Sequence, residues 1–133
     1  MRQIHHVCIQ TDHYKDSLDF YTKILNFKIV KETAGFHGRN YNTWLEQDGF
    51  MIELQTNKKS EILTEASTQS KGLTHLCFLV DDVKEEVTRI LSLNYTNFKL
   101  KNNEALYEVE GSYLSKVIAP EGTIIEFRDT TII

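Results

Sequence analysis

Two stretches of the chain are near copies of one another. HVCIQTDHYK begins at His6 and HLCFLVDDVK at His75; in each, a cysteine follows two residues after the histidine, an aspartate six after and a lysine nine after. An internal repeat in a chain of 133 residues constrains the architecture, because whatever the first copy folds into, the second should repeat. After HVCIQTD, Leu18, Tyr21 and Leu25 recur at steps of three and four, which predicts an amphipathic helix with Asp16 or Ser17 as its cap. After HLCFLVD, Val83, Val87, Ile90 and Leu91 give a second helical stripe.

The ends of the copies correspond as well. FMIELQT closes the first and TIIEFRD the second, each an apolar strand carrying one glutamate, Glu53 and Glu126. Each follows a turn signal, Asp48-Gly49 in one and Pro120 to Gly122 in the other. Two further strands fit between helix and final strand: FKIVKET and NYNTWLEQ in the first copy, TNFKLKN and YLSKVIA in the second. The expected unit is β-α-β-β-β, written twice: module one over 1–58, a polar linker over 59–71 and module two over 72–133. The copies are offset by 69 residues at the histidines and 73 at the glutamates, so they should superpose with few insertions.

The bulk numbers suit one α+β domain. A 41% apolar and 26% charged chain has the balance of a globular protein with a buried core. Net charge is -4 and no run of lysine or arginine stands out, which argues against a nucleic-acid partner. No stretch of about 18 apolar residues is present to span a membrane, and MRQIHHVCIQ lacks the apolar region of a signal peptide. Two cysteines do not make a disulfide framework, so a cytoplasmic protein with reduced thiols is expected.

Strand alternation puts His6, Cys8 and Gln10 on one face, with Val7, Ile9 and Thr11 on the other. Glu53 shares its face with Met51 and Gln55, opposite Phe50, Ile52 and Leu54. A mid-strand carboxylate flanked by apolar residues is costly to bury alone; it must be exposed, paired or bound to a metal. A single such His or Glu is ordinarily structural or solvent-facing. Here the same types recur at equivalent positions, and two modules related by a pseudo-two-fold would gather His6, Glu53, His75 and Glu126 at one centre. Two imidazoles and two carboxylates suit a divalent ion of the nickel, cobalt, zinc or iron type. Cys8 and Cys77 compete, since two His and two Cys would make a closed zinc site. That choice leaves the glutamates unexplained, and the cysteines read more simply as small buried hydrophobes. His5 neighbours His6 but should point to the opposite face; His13 and His37 fall in loops.

With those residues in view, the chain resembles the vicinal oxygen chelate superfamily, and within it short bacterial glyoxalase I. SLDFYTKILNF is similar to that family's S-I-D-F-Y-T-x-V-L-G-M helix, with Asn26 in place of the glycine. IHHVCIQT, MIELQT, THLCFLVDD and APEGTIIEF resemble its four metal-ligand segments. The resemblance implies His6, Glu53, His75 and Glu126 as ligands in a curved mixed sheet around a metal cavity. It further implies one divalent ion per site, nickel or cobalt before zinc, and a homodimer; the site is either shared between module one of one chain and module two of the other or closed within one chain. The implied activity is that of a lactoylglutathione lyase, a carbon–sulfur lyase acting on the hemithioacetal of methylglyoxal with a thiol such as glutathione. Proton transfer would proceed through a metal-bound enediolate, with Glu126 as the base and Glu53 as its counterpart. Gln10 stands where the family has a glutathione-binding arginine, whereas Asn57 matches a glutathione-contacting asparagine. Both are candidate substrate-binding residues, and the loss of the arginine implies weak use of glutathione unless a residue such as Arg39 replaces it. The alternatives are an epimerase similar to methylmalonyl-CoA epimerase, and a non-catalytic small-molecule-binding protein of the drug-resistance kind.

Overall fold

The two copies fold into two four-stranded sheets of the same connectivity. A computed structural model describes residues 1–133 and divides them into two compact units, Met1–Glu65 and Ala66–Ile133. In the first, β1 (Val7–Thr11) leads into α1 (Tyr14–Asp19), which continues as a wider π turn over Phe20–Ile24. Then come β2 (Lys28–Ala34), β3 (Tyr41–Gln47) and β4 (Phe50–Thr56), in the sheet order β1-β4-β3-β2. In the second, β5 (Leu76–Leu79), α2 (Val83–Ser92), β6 (Leu106–Val109), β7 (Ser112–Ile118) and β8 (Ile124–Arg128) form the sheet β5-β8-β7-β6. The outer pair β1 with β4 is parallel, as is β5 with β8, and the other neighbours run antiparallel. Each module is thus a β-α-β-β-β unit with a mixed sheet.

Burial follows the alternation. Ile52 and Leu54 on β4, and Ile125 and Phe127 on β8, turn inward with at most 2% exposure. The helices cover that side with Phe20, Tyr21, Ile24 and Leu25 in module one and Val83, Val87 and Ile90 in module two. Leu91, expected in the second stripe, is 44% exposed, one step off the buried face.

The helix termini show why particular residues stand there. Asp82 caps α2, its carboxylate accepting from the Glu85 amide at 3.1 Å. Neither Asp16 nor Ser17 caps α1. His13 holds the cap position without a side-chain bond, and Thr11 Oγ1 instead accepts from the His13 amide and pairs with Ser17 Oγ. Both helical segments are followed by an asparagine of positive φ, Asn26 at 64° and Asn94 at 63°. Asparagine tolerates that left-handed position better than most side chains, so it fills the place of the family's glycine at modest cost.

One strand lies elsewhere than the sequence suggests. TNFKLKN does not form a regular edge strand of the second sheet; it meets β7 at the bridge Phe98↔Val117, and the bridge Lys101↔Glu104 closes its turn at Asn102-Asn103. The edge is β6, joined to β7 by Glu110-Gly111, where both residues have positive φ. The Asp48-Gly49 connection between β3 and β4 has the same form. Two consecutive residues of positive φ match the right-handed twist of the strands they join, so this tight turn decides the pairing.

Candidate metal centre

Strand register places the glutamates. The parallel pairing of β1 with β4 sets Cys8 against Glu53, and that of β5 with β8 sets Cys77 against Glu126. Each histidine stands two residues before its cysteine, just ahead of the strand. His6 Nε2 lies 3.5 Å from Glu53 Oε1, and His75 Nε2 lies 3.7 Å from Glu126 Oε1. The two modules therefore build the same His–Glu pair by the same register. The four side chains are only partly exposed, at 34% and 19% for the first pair and 33% and 11% for the second. Ligands about 2.1 Å from one ion and at right angles to each other stand roughly 3 Å apart. Each pair needs only a small side-chain adjustment to share an ion. No group of three or more His, Cys, Asp and Glu side chains is arranged to hold a metal.

The cysteines are exposed rather than buried, because alternation places them on the same face as the glutamates and away from the helices. The protein around each thiol nonetheless desolvates it. Burial first, then the neighbouring Glu53, pushes Cys8 up to about 11; burial and Glu126 push Cys77 up to about 12. Both are neutral thiols that donate to their glutamates near neutral pH.

The rows on either side of the pairs differ between modules. Opposite Glu53 on β3 is Trp44, whose ring meets His6 edge-on at 4.8 Å. His5 packs against the same ring at 5.9 Å, and its Nδ1 is 2.9 Å from His6 Nδ1. Strand alternation alone would put it on the other face. Strand geometry begins only at Val7, so alternation does not govern residues 5 and 6. Opposite Glu126 on β7 is Lys116, with Nζ 3.7 Å from Glu126 Oε1. Nothing local in the sequence marks Trp44 and Lys116, because only the register aligns them with the glutamates.

Of the two candidate substrate contacts, Gln10 is engaged by Arg39: the guanidinium donates to Gln10 Oε1 at 3.0 Å and to the Thr56 carbonyl at 2.7 Å. Gln10 thus lies against an arginine after all, supplied from a loop. The Asn57 amide donates to the carbonyls of Lys58 and Glu61, at 3.1 and 2.9 Å, and so holds the chain as it leaves β4.

Residues 3–99 match the family model described as the Glyoxalase/Bleomycin resistance protein/Dioxygenase superfamily. No curated protein matches the chain in sequence. Solved structures of similar fold include a glyoxalase family protein from Enterococcus faecalis, with a TM-score of 0.79 at 21% identity over 96% of this chain and 98% of that one. Another is lactoylglutathione lyase from Agrobacterium tumefaciens, with 0.69 at 19% identity over 97% and 94%. The fosfomycin resistance protein FosX from Listeria monocytogenes, complexed with Mn(II) and sulfate, gives 0.71 at 13% identity over 99% and 95%. No helix of this chain is long and apolar enough to cross a membrane.

Proposed function

Because the chain belongs to the Glyoxalase/Bleomycin resistance protein/Dioxygenase superfamily, we propose that it is a divalent-metal enzyme of the glyoxalase I kind, a lyase acting on a thiol hemithioacetal of methylglyoxal. The observation that supports the reading is the equivalence of the His6–Glu53 and His75–Glu126 pairs, produced by one register in both modules. Each pair supplies two ligands, half of a four-ligand set. A symmetric homodimer completes the set by bringing module one of one chain to module two of its partner. Two imidazoles and two carboxylates suit nickel or cobalt and also accept zinc. A bound ion supplies Lewis-acid polarisation of substrate oxygens.

The chain's own part is proton transfer. Glu126 takes the proton from one substrate carbon and returns it to the next, with Glu53 as the matching carboxylate. Lys116 keeps the Glu126 side chain oriented along β8 between Cys77 and β7. Trp44 makes the corresponding wall in module one, its ring edge-on to His6.

The test is a metal-reconstituted panel assayed with methylglyoxal plus several thiols, and with a chiral acyl-CoA. Hemithioacetal turnover that depends on the added metal is expected. Epimerisation of the acyl-CoA alone would replace the reading with an epimerase, and a protein that takes up no metal would replace it with a binding protein. Glu126→Gln retains an oxygen donor but not a base, so turnover should fall by about 100-fold or more while the fold persists.

A further inference from the structure

We propose that Lys116 and Arg128 form an oxyanion-binding subsite beside Glu126, so that the substrate carries a carboxylate, phosphonate or phosphate group. The inference rests on the functional reading above in that it gives the substrate of the same sheet face a charge. The face of module two turned away from α2 carries two adjacent rows. One is Cys77, Glu126 and Lys116; the next is Leu79, Arg128, Leu114 and Tyr107. Lys116 and Arg128 are therefore diagonal neighbours on β7 and β8. Such positions stand about 7–8 Å apart at the backbone, within the joint reach of two long side chains.

The two cations are not equally occupied. Lys116 spends its charge on Glu126 at 3.7 Å, the only carboxylate in these rows. Arg128 forms no ion pair. Its one side-chain bond runs from Nη2 to the carbonyl of Ile132 at 3.2 Å, and its Nε is buried with no partner at all. A buried, unpaired guanidinium N–H is costly, and a guanidinium is shaped to take an oxyanion through two parallel bonds. Tyr107 stands in the same row, with the Lys101 ammonium 5.3 Å over its ring. Module one arranges its cations differently: Lys31 lies beyond Trp44 at the sheet edge, and Arg39 reaches Gln10 from a loop. Register puts Trp44 where Lys116 stands and Gln55 where Arg128 stands. Only in module two do both cations stand on the central strands themselves, one strand step from the proposed base.

The test uses the full chain, freed of metal with EDTA, in calorimetric titrations at low salt with methylphosphonate and with acetate. Saturable binding of at least one is expected. It should weaken by about ten-fold to a hundred-fold in Arg128→Gln and in Lys116→Gln, the scale for losing a charged hydrogen bond. Arg128→Lys should recover part of it, and Lys84→Gln on the opposite face should change nothing. Preference for methylphosphonate assigns the subsite to phosphonates or phosphates, and preference for acetate to carboxylates. The proposal is overturned if neither anion saturates, or if both charge-removing variants, shown folded by circular dichroism, bind as the wild type does. Metal uptake is measured separately on wild-type protein. Its failure would sink the glyoxalase reading, while the metal-free titrations would still decide the subsite.

Discussion

If each chain carries two half-sites that are completed by a partner chain, two crippled variants should rescue each other. His6→Ala removes a ligand from module one only, and His75→Ala removes one from module two only. Both imidazoles are about a third exposed and outside the strands, so each substitution should leave the fold intact. Every site in either homodimer then has three ligands. Loss of a mere supporting partner costs about 10–100-fold in metal affinity, and loss of a ligand should cost at least that. In a mixed dimer, intact module one of one chain meets intact module two of the other, while the two damaged modules meet at the second site. With half the dimers mixed and one good site in each, about a quarter of the wild-type sites should return. The assay is metal retained per chain after the variants are mixed, unfolded and refolded together, followed by turnover. No recovery above the separate variants, despite dimers being present, would refute the shared site.

Three further outcomes follow from particular contacts. Arg39→Ala should raise KM for the glutathione hemithioacetal by about ten-fold if the Arg39–Gln10 unit serves in place of the family's arginine; steady-state kinetics check this, and an unchanged KM removes the role. Gly122 has φ +98°, and a Cβ there would come within 2.6 Å of Ala66 Cβ, so Gly122→Ala should cost at least about 1–2 kcal/mol, seen as a fall in Tm of several degrees. Burial and the Glu121 charge push the Tyr95 phenol up to about 12, so its contribution to stability is full below pH about 10 and is lost as pH rises through the folded-state value. Tyr95→Phe should flatten that alkaline loss in denaturant titrations, and near neutral pH should cost only about 1 kcal/mol, because Asn97 still donates to the Ile118 carbonyl that Tyr95 serves.

The repeat by itself determined most of this architecture. Equal spacings impose equal folds, and period-two burial in FMIELQT and TIIEFRD separates Ile52, Leu54, Ile125 and Phe127 from Glu53 and Glu126 whatever the neighbouring strands are. The recurrence of a histidine and a glutamate at equivalent positions, His6 with His75 and Glu53 with Glu126, was legible for the same reason. Where turns competed with a hydrophobic pattern, the sequence misled: TNFKLKN reads as a strand, yet the chain turns back at Asn102-Asn103 and the Glu110-Gly111 hairpin gives the sheet edge to β6. Cross-strand neighbours were not legible at all. That Trp44 stands beside Glu53 and Lys116 beside Glu126, that Arg128 is left without an ion pair, and that Arg39 reaches Gln10 all depend on which residues lie opposite one another. Register is set by the turns and by the packing of a whole face, because a slip of one residue would turn every side chain over. No local stretch carries that information, and so the chemistry around the two glutamates was decided only by the tertiary structure.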